Sequence, residues 1–184
     1  MPRRVFFTCG EGRHPERRTS YAMALFDAGL GAQNVQLLAP AGCAIFPPQA
    51  ELVSRRDGLD SLEPGEVVVA MLAEHATREP NRLLTASIGL AAPVDRALHG
   101  CLATRVAFGE TEEQAGAGAE ELAAEMLATS LGIDFELETV WDEKRELYRV
   151  AGTVVRTANV TQAALGDARG WWTTTIAGAI LLND

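Results

Sequence analysis

Thr111-Glu112-Glu113-Gln114, followed by an apolar stripe, is the stretch that most restricts how this chain can fold. A threonine hydroxyl can take the N–H three residues on, the glutamine can reach back to the threonine N–H, and two acids favour the positive end of a helix dipole. Ala115, Ala119, Leu122, Ala123 and Met126 then fall on one face, and Gly132 offers a stop. The flanking sequence has strand character instead. Pro64-Gly65 turns into the Val-rich run Glu66–Ala73, and Leu83–Pro93 and Cys101–Phe108 are further apolar runs. Phe135, Leu137, Thr139 and Trp141 alternate with Glu136 and Glu138. A strongly capped helix among such runs needs a sheet to cover its stripe, so the chain reads as α/β.

The remaining segments fit that class. Val5–Thr8 reads as a short strand ending in the loop Cys9-Gly10-Glu11-Gly12. A second helix is expected from Thr19, carrying Ala22, Leu25 and Phe26 and ending at Gly29 or Gly31. Asn34–Leu38 and Ala50–Val53 read as strands, Arg55–Leu62 as a charged loop and Glu74–Pro80 as a polar connection. A strand over Leu147–Thr157 and a last one around Gly170–Ile176 close the chain. No linker or repeat interrupts the 184 residues, which suit a single domain spanning 1–184.

Twenty-five acids against sixteen bases give a net charge of −9, which argues against nucleic acid or an anionic membrane as partner. No apolar run approaches the roughly 18 residues of a membrane span, and the first residues fail as a signal peptide. Three scattered cysteines do not form a disulfide framework and fit a reducing cytoplasm. His14, His75 and His99 have no ligand spacing with any cysteine, so no metal is expected. No G-x-S-x-G elbow is present. A phosphate cradle at Gly10 and Gly12 lacks its third glycine, and Arg13, His14, Arg17 and Arg18 read as a solvated loop. Cys9 and Cys101 read as small core residues. Cys43 differs, because it lies in Leu37–Pro48 among Gly and Ala in a loop.

The order of pieces carries more than any one of them. SYAMALFDAGLG, NVQLL, a small-residue step before I-F-P-P-x-A-E-L-V, PGEVVVAMLAEHA, LLTASIGLAAPVD, GCLATRVAFGETEEQA and GWWTTTIAGAILL together resemble the pyruvoyl-dependent arginine decarboxylases over nearly the whole chain. The resemblance implies a layered α/β sandwich, assembly as a homotrimer or a dimer of trimers, and an active site between subunits. It also implies a cofactor made from the chain itself. In the family a serine hydroxyl attacks the preceding carbonyl, the resulting ester eliminates, and the dehydroalanine left behind hydrolyses to a pyruvoyl group. That ketone takes the substrate amine and serves as the electron sink for decarboxylation.

The reacting positions depart from the family. With Pro47-Pro48 as anchor, the family's Ser-Ser step falls on Cys43-Ala44, after Gly42, and Ala44 has no leaving group. The family's pocket Asp is Ala22 here, while the nearby apolar contact is kept as Leu25. The Asn that assists cleavage is Gln36, following Val35. The proton-donating Glu falls at or near Arg105, with Glu110 close in sequence.

Three readings follow, in order of preference. The first is an uncleaved member whose inter-subunit pocket around Cys43 and Arg105 serves another small-molecule reaction or a ligand, with an anionic group suited to Arg105. It needs no cofactor. The second is an active amino-acid decarboxylase whose pyruvoyl group is made from Cys43 by cleavage after Gly42. The third is a non-catalytic structural partner of an active relative.

Overall fold

The computed structural model describes residues 1–38, 42–134, 139–142, 147–150 and 152–183; the side chains at 139–142, 147, 148 and 150 lie outside the description. β1 (Arg4–His14) and β11 (Trp172–Leu182) pair antiparallel from Arg4↔Leu182 to His14↔Trp172. The Cys9–Gly12 run is therefore strand, not the loop its glycines predict. Packing is the reason. α1 (Arg17–Asp27) crosses this strand so closely that a Cβ on Gly10 would lie 2.5 Å from the Ala24 carbonyl oxygen, and one on Gly12 2.1 Å from that of Ser20. The glycines let two backbones approach, and the helix fills the space a phosphate would need. α1 also starts at Arg17 rather than Thr19, because the Glu16 carboxylate accepts the Thr19 N–H at 2.7 Å and caps it.

β5 (Val67–Thr77) extends this sheet beyond β11. β2 (Asn34–Leu37) runs parallel to β5, and β4 (Glu51–Leu52) parallel to β1, giving the order β2-β5-β11-β1-β4. The ladder between Thr77 and Thr173 keeps β5 extended where Glu74–Pro80 reads as a connection. The charged stretch after Ser54 is not a loop but the six-residue α2 (Arg55–Asp60). Its Gly58 lies against the Phe6 ring, 2.2 Å from the place of an added Cβ.

The second sheet contains β3 (Cys43–Phe46), β6 (Leu83–Pro93), β7 (Gly100–Phe108), β8 (Thr139–Asp142), β9 (Leu147–Val150) and β10 (Thr153–Leu165), in the order β3-β7-β6-β10-β9-β8. The single strand read over Leu147–Thr157 is thus two antiparallel ones, β9 and the start of β10. Phe135 and Leu137 of the alternating run lie outside the described residues. α3 (Glu112–Ser130) begins with the expected reciprocal cap, Gln114 N–H on the Thr111 hydroxyl at 3.2 Å and Thr111 N–H on Gln114 Oε1 at 3.0 Å.

Alternation sorts the side chains into four layers. One face of each sheet meets the other around Val5, Phe46, Met71, Ile88, Leu90, Leu102 and Leu181. Phe6, Leu30, Val68, Ile180 and Leu182 lie on the outer face of the five-stranded sheet, with Leu25 and Leu59 from α1 and α2 packed against them. Cys101, Ala103 and Val155 meet Ala123, Ala124 and Leu127 of α3 on the outer face of the six-stranded sheet. Close seating of α3 needs Gly89, whose Cβ would lie 2.0 Å from the Ala119 carbonyl oxygen. Burial of Leu127 alone contributes about 1.5–3 kcal/mol. The result is a layered α/β sandwich, as the resemblance implies.

Candidate functional site

The Leu37–Pro48 stretch passes from one sheet to the other. β2 ends as the edge of the five-stranded sheet, where the Leu38 N–H reaches the Ala70 carbonyl at 2.8 Å. Residues 39–41 lie outside the described set. Gly42 then enters the six-stranded sheet with φ +89°, a left-handed conformation that favours glycine. Its carbonyl oxygen accepts the Thr104 N–H at 2.9 Å, and the Thr104 hydroxyl stands 3.5 Å from the same atom.

β3 is an edge strand that, among the described residues, pairs only with β7, in the register Cys43↔Ala103 and Ala44↔Leu102. Cys43 and Ala44, neighbours on this strand, consequently face opposite ways. Ala44 is buried at 8% exposure in the inter-sheet layer with Phe46 and Leu102. Cys43 is half-buried and turned, like its partner Ala103, toward α3. There it neighbours Cys101, a fully buried thiol. Burial pushes the Cys101 thiol up, the Ser130 hydroxyl 3.8 Å away pulls it partly back, and the Cys43 thiol adds to the rise. Ser130 also meets His99 Nε2 at 2.9 Å.

Arg105 lies on the same face, two residues beyond the Cys43 partner, with its guanidinium over Gly118 of α3. Both terminal nitrogens bind the Glu110 carboxylate, one of them at 2.7 Å. Glu110 raises the Arg105 pKa chiefly through these bonds, and they hold the Glu110 carboxyl below its ordinary value. The two residues singled out in the sequence thus form one pair, with its charge internally matched.

Leu25 and Val35 meet in the cluster outside the five-stranded sheet, across both sheets from Cys43. Ala22 is exposed on α1. Gln36 is exposed on the β2 edge and alternates toward the inner face, the side on which Leu38 joins Ala44 in the core. One chain therefore gathers Gly42, Cys43, Arg105 and Glu110 along β3 and β7 and separates Leu25 and Val35 from them. Thr104 is the contact that sequence reasoning passed over. Its signal was the strand period, since the neighbour of an α3-facing Arg105 must face the other way. Thr173, Thr174 and Thr175 sit in β11 beside β5 and β1. They are buried, with the Thr173 hydroxyl on the Asp167 N–H, Thr174 on Ser20, and Thr175 on the His75 carbonyl.

Among the described residues no group of three or more His, Cys, Asp or Glu could hold a metal ion, and no helix is long and apolar enough to cross a membrane.

A family model described as pyruvoyl-dependent arginine decarboxylase matches residues 4–184. The pyruvoyl-dependent arginine decarboxylase of Nitrosopumilus maritimus is 44% identical over 182 residues, covering 99% of this chain and 97% of the relative. A probable pyruvoyl-dependent arginine decarboxylase of Chloroherpeton thalassium is also 44% identical, over 99% of this chain and 98% of its own length. Pyruvoyl-dependent arginine decarboxylase 2 of Methanosarcina acetivorans is 40% identical over 183 residues, covering 100% of this chain and 98% of the relative.

Proposed function

The chain belongs to the pyruvoyl-dependent arginine decarboxylase family, and from that premise we propose that it is a member that stays uncut and does not decarboxylate arginine. Ala44 carries the reading. With Pro47-Pro48 as anchor, the resemblance puts it at the serine that becomes the pyruvoyl group; it offers only a methyl and is packed in the inter-sheet core. An alanine methyl has no leaving group and does not fit a pyruvoyl group at that position. The group left to react is the Cys43 thiol, half-buried on the opposite face.

The reading places a small-molecule reaction or ligand in a pocket around Cys43, with the Arg105–Glu110 pair at its side. A pocket that also included Leu25 and Val35 would need a second copy of the chain, because they lie across both sheets from Cys43. The homotrimer or dimer of trimers that the resemblance implies would supply that second copy. The net charge of −9 supports the absence of nucleic-acid and anionic-membrane partners, and three free thiols fit the cytoplasmic reading.

Intact-protein mass is the test. A single full-length species is expected. Two fragments divided at Gly42/Cys43, the C-terminal one labelled by a carbonyl reagent, would sink the reading. Cys43→Ala should abolish the response to a ligand that binds the full-length protein; an unchanged response would remove Cys43 from the pocket.

A second reading has one observation in its favour. The Thr104 N–H and hydroxyl point at the oxygen of the very carbonyl that a Cys43 thiol would attack. Donors so placed stabilise an oxyanion. An acyl shift there would join the Gly42 carbonyl to sulfur and free the Cys43 nitrogen. Elimination would then break the sulfur–Cβ bond, leaving a thiocarboxylate on Gly42 and the precursor of a pyruvoyl group at position 43. The same mass measurement decides between the two.

A further inference from the structure

We propose that Cys43 and Cys101 are a peroxide-reactive thiol pair, which closes to an intrachain disulfide that pins the edge strand β3 to β7. The inference rests on the uncut reading, since a cut chain would consume Cys43.

Placement comes first. Cys43 pairs with Ala103, and Cys101 is two residues away along β7, so both side chains stand on the α3 face of adjacent strands. The Cys43 thiol lies near enough to Cys101 to raise it. The third thiol, Cys9, packs against the inter-sheet core and belongs to a different layer. Cys43 and Cys101 are diagonal rather than directly opposite, so closing the bond asks β3 to shift along β7, and among the described residues a four-residue edge strand with a single ladder has few backbone bonds to give up.

The two thiols have different access. Cys43 is half-buried on an edge, while Cys101 is 0% exposed. A small oxidant reaches Cys43 first, and Cys101 is positioned to resolve the product. Burial disfavours the thiolate that a resolving cysteine needs, and here the surroundings offer a route for its proton. The Cys101 Sγ meets the Ser130 hydroxyl at 3.8 Å, and that oxygen meets His99 Nε2 at 2.9 Å. Ser130 donates to the Leu127 carbonyl at 2.8 Å, and its hydroxyl can turn from there toward the imidazole. Ser130 and His99 are positioning residues, acting through Cys101.

The chemistry balances with hydrogen peroxide as oxidant. The Cys43 thiolate attacks one peroxide oxygen, the O–O bond breaks, and hydroxide leaves, giving a sulfenic acid on Cys43. The Cys101 thiolate then attacks that sulfur, forming S–S and breaking S–O. The second hydroxide takes up the proton that Cys101 gave through Ser130. In sum two thiols and one peroxide become one disulfide and two waters.

The test treats reduced full-length protein with stoichiometric hydrogen peroxide and follows intact mass and peptide maps. The expected product is full-length, lighter by two hydrogens, with Cys43 linked to Cys101, and a reductant restores the starting mass. Cys101→Ala should halt oxidation at a Cys43 sulfenic acid that dimedone traps, and Cys43→Ala should lose no hydrogens. Ser130→Ala should slow closure about tenfold while leaving the labelling rate of Cys43 unchanged. Unchanged mass, a link to Cys9, or a link between chains would overturn the inference. Two fragments before any oxidant is added would remove it together with the uncut reading.

Discussion

Thr104 holds the carbonyl oxygen of Gly42 with its backbone N–H at 2.9 Å, its hydroxyl standing 3.5 Å away, while Gly42 itself is left-handed at φ +89°. The pair fixes how the chain enters β3, and so which way Cys43 and Ala44 face. A Cβ on Gly42 would lie 2.7 Å from the Thr104 hydroxyl oxygen.

Gly42→Ala should therefore destabilise the fold by about 2–3 kcal/mol, from backbone strain and the new contact together. Adding Thr104→Ala removes the contact but not the strain, so the double variant should cost less than the sum of the singles. Urea denaturation of the three variants checks this. A neutral Gly42→Ala would mean that the turn relaxes freely.

At β1 the glycines separate two accounts of the same sequence. If Gly12 makes room for α1, Gly12→Ala should cost about 3 kcal/mol or more and loosen the amides of α1 in hydrogen exchange, because its Cβ would lie 2.1 Å from the Ser20 oxygen. If it were part of a phosphate loop, inorganic phosphate would protect those amides in the unaltered protein. The expected result is a large loss of stability on substitution and no response to phosphate at α1.

These cases show what the sequence could convey. α3 was legible because its cap and its apolar stripe are local, and β6 and β7 because their apolar runs are long. Gly10 and Gly12 misled because a glycine that makes room for a helix looks, in sequence, like one that makes a turn. α2 was missed because six residues give no periodicity, and what stabilises it is its Ser54 cap and the Gly58 contact with Phe6. At the site, a one-residue difference in register exchanges the two faces of a strand. Arg105 faces α3 and Thr104 faces the other way, so a motif placed at or near Arg105 misses the residue on Gly42. The separation of Leu25 and Val35 from Cys43 follows from the two-sheet topology, which no local pattern encodes.

Asp167 gives a pH prediction with a definite sign. Its carboxylate accepts from the Arg169 backbone N–H at 2.8 Å, from Nε at 2.9 Å and from a terminal nitrogen at 2.8 Å. The Arg169 side-chain bonds do most to bring its pKa from 3.8 down to about 2. A lowered folded-state value means that this contribution to stability is complete above the unfolded value of 3.8 and fades as the pH falls toward 2. Carboxyl NMR should place the Asp167 midpoint near 2, and Arg169→Ala should raise it toward 3.8. An unmoved midpoint would show that the backbone N–H alone sets it.

Arg105 can serve an anionic ligand only in competition with Glu110, since both of its terminal nitrogens already bind that carboxylate. Glu110→Gln keeps the shape and removes the charge, which leaves the guanidinium under-compensated at the rim of the Cys43 face. Inorganic phosphate should then bind about fivefold more tightly than to the unaltered protein, with the Arg105 Nε resonance moving on titration. Arg105→Glu should abolish the response. The sign of the Glu110→Gln change is informative in itself. Tighter binding means that Glu110 gates the arginine, whereas weaker binding means that it orients the guanidinium toward the ligand. Phosphate binding that neither substitution alters would take Arg105 out of the pocket altogether.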